Sequence, residues 1–111
     1  MRSIIIAAAL ALSAFTAQAA EPIEGNWKTA SGATAEIAPC GGSFCVTLKS
    51  GQHSGKQIGK MAGSGDSYKG EITDPETDKT YSGSGSVSGN SLKMKGCVMA
   101  VLCKSQTWTR L

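Results

Sequence analysis

Apolar and polar residues alternate along most of the chain after residue 32, with the period of two that is typical of β-strands with one buried face. Five groups of apolar or glycine positions share a face in this way: Ala33, Ala35 and Ile37; Phe44, Val46 and Leu48; Tyr68, Gly70 and Ile72; Tyr81, Gly83, Gly85 and Val87; and Leu92, Met94, Gly96 and Val98. Mainly polar residues occupy the positions between them. Each group therefore predicts a strand with one face in a core and the other in water.

Turn-forming residues separate several of these predicted strands. The segments 74–78 and 88–91 are rich in Asp, Pro, Ser, Gly and Asn, and each has hairpin length. No stretch of the chain after the first 19 residues carries an apolar stripe at helical spacing. We predict an all-β fold, a small antiparallel up-and-down β-barrel of about eight short strands, because closure removes unpaired edges. Inward-facing glycines predict a narrow barrel, and a packed interior is favoured over a ligand cavity.

The first residues have a different pattern. Arg2 precedes an apolar run from Ile4 to Phe15, and the small-x-small sequence Ala17-Gln18-Ala19 follows, as at a signal-peptidase site. The run is shorter than the roughly 20 residues that a membrane-spanning helix needs. We therefore predict a signal peptide over residues 1–19 and a single β-barrel domain over residues 20–111. The expected product is periplasmic or secreted, with no membrane attachment after cleavage.

The four cysteines lie in two local pairs, Cys40 with Cys45 and Cys97 with Cys103. Four cysteines allow three connectivities. Local pairing is favoured because the residues from Cys40 to Cys45 read as a strand end, a glycine turn and a returning strand. Neither spacing is C-x-x-C and His53 is the only histidine, so structural disulfides are favoured over a zinc site or a redox pair.

The charge and the reactive residues exclude several classes of function. The formal charge is +3, and loss of Arg2 with the leader lowers it to +2, which argues against a nucleic-acid partner. Ser54 lies beside His53 in a glycine-containing loop with no residue to position either, so we predict no catalytic residues and no enzyme.

A calcium site is also disfavoured. Asp74, Glu76 and Asp78 have the spacing that begins a calcium-binding loop, but Lys79 stands at the sixth position and Gly85 at the twelfth. In a calcium-binding loop the sixth position is glycine and the twelfth is a glutamate that binds the ion. We therefore expect a turn here, and neither a metal nor another cofactor in the protein.

The two ends of the predicted domain resemble the lipocalin-like (calycin) barrels. The resemblance rests on the sequence Gly25-Asn26-Trp27 near the start of the domain and on Arg110 in the last predicted strand. A tryptophan entering the first strand can plug the barrel, with the guanidinium of Arg110 stacked on its face as a cation–π lid. The role expected for Trp27 and Arg110 is structural.

A fuller resemblance is to the exported bacterial family called domain of unknown function 2147. It is carried by five blocks: Ile23-Glu24-Gly25-Asn26-Trp27, the run from Glu36 to Cys45, the run from Asp74-Pro75 to Tyr81, Gly96-Cys97, and the run from Cys103 to Arg110. The resemblance implies an eight-stranded lipocalin-like barrel in a secreted or periplasmic protein. It supplies no catalytic residues, because the family has no settled activity.

Two functions from different classes remain. By analogy with lipocalin-like barrels, the first is binding of a small apolar or amphipathic molecule at the barrel mouth. The residues expected to line that site are Tyr68, Tyr81, Met99, Val101 and Trp108. The second is docking on a periplasmic protein, as an interaction or inhibitor module, through the apolar loop 97–103. In both cases we expect a monomer.

Overall fold

The computed structural model describes residues 20–99 and 102–111, and within them the chain forms eight β-strands and no helix. The strands are β1 (Gly25–Lys28), β2 (Thr34–Cys40), β3 (Ser43–Leu48), β4 (Gln57–Ser64), β5 (Ser67–Asp74), β6 (Lys79–Ser88), β7 (Ser91–Val98) and β8 (Leu102–Arg110). Each strand pairs antiparallel with the next, and β8 returns to β1, so the sheet is a closed barrel. The predicted fold class is confirmed. The predicted signal peptide, residues 1–19, lies outside the described residues, and the described part contains no helix that could cross a membrane.

The core is formed by the inward-facing positions of the alternating pattern. Of the aliphatic residues in that pattern, Ala33, Ile72 and Val98 are half-buried, and the others are buried: Ala35, Ile37, Val46, Leu48, Val87, Leu92 and Met94. The largest side chains with almost no exposure are Trp27 and Tyr68, which lie in the half of the barrel near the chain ends. Burial of this apolar surface is the main stabilising contribution of a barrel this small.

Strand β4 lies in the glycine-rich segment between Ser50 and Ser67, where the sequence pattern predicts no strand. In the pairing with β3, Val46 is opposite Gly59 whereas Thr47 is opposite Gln57, so Ile58 is an extra residue. This β-bulge places Ile58 and Gly59 both in buried positions and shifts the alternation by one residue. The bulge therefore conceals the strand from a search for a period of two.

One end of the barrel is closed by the residues that precede β1. Ile23 is fully buried, and its carbonyl oxygen accepts a hydrogen bond from Trp27 Nε1 at 2.9 Å. The Arg110 guanidinium lies over the Trp27 ring at 4.2 Å from its centroid and donates to the carbonyl oxygens of Pro22 and Glu24. The last strand thus holds the N-terminal segment across this end.

The two disulfides lie at opposite ends of the barrel. Cys40 is bonded to Cys45 across the β2–β3 hairpin at the closed end, and Cys97 is bonded to Cys103 between β7 and β8 at the other. The local connectivity favoured from the sequence is the one observed. Each bond closes a short loop, which stabilises the fold by about 2 to 3 kcal/mol in the chain-entropy description.

The seam between the first and last strands is short. Strand β1 has four residues and β8 has nine, and they are joined at two residue pairs, Trp27 with Arg110 and Lys28 with Thr109. After Lys28 the chain turns at residues 29–33 and enters β2. The part of β8 from Leu102 to Trp108, which lies away from the closed end, therefore pairs with β7 on one side. On its other side the described residues contain no strand.

Candidate binding site at the open end of the barrel

A cavity lies at the end opposite the N-terminal segment, where the β1–β2, β3–β4 and β5–β6 connections meet. It has a volume of about 630 Å³ and is here called the mouth cavity. Its wall runs from Thr29 and Ala33 beside β1, past Leu48 and Ile58, to Gln106 and Trp108 on β8. The packed interior favoured from the sequence is therefore found in the closed half of the barrel, whereas the open half contains a cavity.

A smaller cavity of about 160 Å³ adjoins the mouth cavity. The two share Ile58, Asp74, Pro75, Gln106 and Trp108, so they form two parts of one recess. The smaller part has an apolar wall that includes Ile72, Tyr81 and Met94. The smaller part of the recess is therefore the more apolar of the two, although Asp74, Lys104 and Gln106 also line it.

The floor of the recess is fixed by a hydrogen bond within β8. Trp108 is buried, and its Nε1 donates to Oε1 of Gln106 at 2.9 Å. Alternate residues of a strand share a face, so Lys104 lies on the same side as Gln106 and Trp108, and it also lines the smaller cavity. Strand β8 thus contributes an indole, an amide and an ammonium group in order from the floor to the entrance.

Two ion pairs join the loops that border the entrance. His53 Nε2 lies 3.1 Å from Glu76 Oε2, which is an ion pair when the imidazole is protonated, and Lys56 donates to Asp78. The hydrogen bond from Lys56, with its positive charge, lowers the pKa of the Asp78 carboxyl below its ordinary value. Asp78 consequently stays ionised over a wider pH range, which keeps the β3–β4 and β5–β6 loops together.

These groups are suited to reversible binding. Apolar side chains inside the recess favour an apolar moiety, while Asp74, Lys104 and Gln106 near the entrance offer one carboxylate, one ammonium and one amide. The described residues contain no group of three His, Cys, Asp or Glu side chains placed to hold a metal ion. The recess thus combines apolar side chains with hydrogen-bonding and charged groups.

Comparison with known proteins adds a family to this description. The family model for DUF2147, described as an uncharacterised protein conserved in bacteria, matches residues 25–110. The chain belongs to the DUF2147 family. The match extends from the first residue of β1 to the last residue of β8, so the family domain is the whole barrel, as the resemblance implied. No curated protein and no solved structure matches the chain.

Two of the residues predicted to line a site in this DUF2147 protein lie together in the recess. Tyr81 and Trp108 both line the smaller cavity. Met99 is 85% exposed and lines neither cavity, and Val101 lies outside the described residues. Tyr68 is buried in the closed half of the barrel, away from the recess.

Tyr68 has contacts that explain its position in the DUF2147 barrel. Its hydroxyl donates to the carbonyl oxygen of Gly65 at 2.7 Å and lies 3.4 Å from Glu21 Oε1. Glu21 also accepts a hydrogen bond from the Gly65 amide. Burial, and then the nearby Glu21 carboxylate, raise the pKa of the Tyr68 hydroxyl above its ordinary value. Tyr68 therefore anchors the N-terminal segment at the closed end.

Several lining residues were not anticipated as site residues from the sequence, among them Ile58, Asp74, Lys104 and Gln106. Ile58 is concealed by the bulge, and Asp74 reads as a turn residue. Lys104 and Gln106 lie four and two residues before Trp108 and therefore share its face of β8. This spacing is the sequence signal that could have placed them in the site. A polar residue on the inward face of a barrel strand points to a cavity, because a packed core would leave it unpaired.

Proposed function

We propose that this DUF2147 protein is an exported, non-catalytic barrel that binds a small amphipathic molecule in the recess at its open end. The observation that supports this most is the mouth cavity of about 630 Å³, a volume within the range of ligand pockets in proteins. The apolar part of the ligand lies against Ile58, Tyr81 and Trp108. Its polar group lies at the entrance, where Lys104 and Gln106 donate and Asp74 accepts.

The proposal of export rests on the disulfides and the leader pattern together. Two disulfides suggest an oxidising, extracellular-type environment, and residues 1–19 have the order of a secretory signal. The segment after the proposed cleavage site, residues 20–24, covers the closed end of the barrel. Cleavage after Ala19 leaves this cover intact.

Filling the recess is expected to weaken binding. The probe is 1-anilinonaphthalene-8-sulfonate, an amphipathic anion whose fluorescence rises in apolar sites. The Gln106→Trp variant places an indole at the junction of the two cavities, and we expect it to weaken the probe's affinity by about tenfold, or 1.4 kcal/mol. The matched control is Ser105→Trp, which adds the same side chain to the outer face of β8 at the neighbouring position. Equal probe affinity in the two variants would contradict the proposal.

Export is tested by the mass of the intact protein recovered from bacteria that express the full sequence. The expected mass is that of residues 20–111 less four hydrogen atoms, because both disulfides form on export. Recovery of the full-length, reduced chain would contradict export. Mass measurement under native conditions also shows whether the protein retains a small molecule. Unfolding the protein releases that molecule, and its mass can then be measured.

The second candidate function is docking on a periplasmic protein through the loop 97–103. The observation in its favour is that Met99 and Leu102, which flank the part of the loop outside the described residues, are 85% and 70% exposed. Exposed apolar side chains at a disulfide-closed tip are typical of contact surfaces. The cavity-filling variant separates the two candidates, because Gln106→Trp weakens ligand binding and leaves the tip unchanged.

A further inference from the structure

The free edge of β8 offers a site for a further β-strand. From Leu102 to Trp108 the strand pairs with β7 on one side, whereas its pairing with β1 is confined to Thr109 and Arg110. The register between β7 and β8 has no bulge, so the backbone along this edge keeps the regular alternation of a paired strand. Exposed edges of this kind are templates for strand addition.

The backbone groups that face the gap follow from two hydrogen bonds near the closed end. The backbone amide of Leu111 points toward β1 and donates to the carbonyl oxygen of Asn26. The backbone amide of Arg110 points toward β7 and donates to the carbonyl oxygen of Asn90. Successive residues of a strand point their backbone groups to opposite sides. The amide and carbonyl groups of Cys103, Ser105 and Thr107 therefore face the gap, and the described residues contain no partner for them.

An added strand would also have a place for its side chains. Gln106 and Trp108 line the mouth cavity from the β8 side, and the β1–β2 turn, residues 29–33, borders it from the other. A peptide strand added beside β8, where β1 would continue if it were longer, directs every second side chain into the mouth cavity. The gap thus combines backbone recognition with a pocket for side chains, which is the arrangement used in peptide recognition by strand addition.

The charges near the gap select a partner whose acidic side chains point away from the mouth cavity, because Asp74 and Glu76 line the cavity itself. Strands β7 and β8 carry Lys93, Lys95 and Lys104 near the gap and contain no Asp or Glu, and the β1 residue beside the gap is Lys28. A second copy of the chain would bring these lysines together, whereas carboxylates would lie opposite them. We propose that the β8 edge binds an extended acidic peptide of another protein, antiparallel to β8, with alternate side chains in the mouth cavity. This inference goes beyond the proposed function.

The test uses a labelled heptapeptide, acetyl-Val-Glu-Val-Glu-Val-Thr-Val-amide, whose two glutamates share one face of an extended strand. It is titrated against the oxidised protein by fluorescence anisotropy. We expect saturable binding and a weaker affinity for the peptide with glutamine in place of glutamate. The Thr107→Pro variant removes one backbone donor that faces the gap, at an edge position where proline is tolerated. It is expected to weaken binding by about five- to tenfold. The matched control, Thr107→Val, keeps the backbone donor and should bind as the original protein does.

Hydrogen exchange of the unaltered protein provides a second measurement that does not depend on the folding of a variant. Amides of Cys103, Ser105 and Thr107 should exchange rapidly in the free protein and more slowly with the peptide bound. The proposal is overturned if the peptide does not bind saturably, or if it slows exchange elsewhere and not at these amides. It is also overturned if the protein is a dimer in solution that Thr107→Pro converts to a monomer, since the edge would then pair with a second copy.

Discussion

The Trp27→Ala variant is expected to lose about 3 to 5 kcal/mol of unfolding free energy, the range for truncating a buried tryptophan. The loss has three sources: the apolar surface of a fully buried indole, the hydrogen bond from Nε1 to the Ile23 carbonyl oxygen, and the contact with the Arg110 guanidinium. Trp27 also belongs to one of the two residue pairs that join β1 to β8. The effect is large because a domain of this size is stabilised by only about 5 to 15 kcal/mol.

Urea unfolding followed by far-ultraviolet circular dichroism measures this loss without using tryptophan fluorescence, which the substitution changes. The control is Lys28→Ala on the same strand, where the side chain is exposed and a change of no more than about 0.5 kcal/mol is expected. A loss below about 1 kcal/mol in Trp27→Ala would mean that the indole is not the structural centre of the closed end.

The Gly70→Ala variant is expected to lose about 3 kcal/mol or more, at the upper end for overpacked interiors. Gly70 faces inward on β5 opposite Met61. A β-carbon there would overlap the backbone carbonyl oxygen of Lys60 and lie 2.8 Å from the Cα of Met61. Because both obstacles are backbone atoms, they cannot be relieved by a change of side-chain rotamer, and β4 and β5 would have to separate.

Gly85→Ala is the matched control, since Gly85 also faces inward in a neighbouring strand. Its β-carbon would meet side-chain atoms of Leu92 and Met94 at 3.4 Å, an ordinary van der Waals distance. We expect its unfolding free energy to stay within about 1 kcal/mol of the original, helped by the lower chain entropy of alanine in the unfolded state. Thermal unfolding of the two variants side by side tests the difference, and equal melting temperatures would refute the steric explanation.

Much of the fold was predictable because its strands have one buried face. The alternation around Ile37, Val46, Leu92 and Met94 marked β2, β3 and β7 directly, and the turn residues between β5, β6 and β7 gave their connections. Strand β4 was not predictable in this way, since the bulge at Ile58 puts two successive residues on the buried side. A pattern of period two cannot identify a strand that changes face part-way along.

The site was less predictable than the fold for a different physical reason. Trp108 and Tyr81 were identifiable as large side chains on inward faces, but Tyr68 has the same character and lies in the other half of the barrel. The sequence pattern gives the face of a residue, whereas its height along the barrel depends on strand tilt and register. The cavity itself depends on loops 49–56 and 75–78, whose positions follow from turn hydrogen bonds and ion pairs rather than from periodicity.

The N-terminal segment and the last residue of the chain lie at the same end of the barrel. Leu111 donates a backbone hydrogen bond to Asn26, and residues 20–24 cover that end, whereas the recess opens at the other. An affinity tag or a surface anchor joined after Leu111 would therefore leave the recess facing the solution. A C-terminally immobilised form of this protein can be screened against libraries of metabolites or peptides with its candidate binding surface unobstructed.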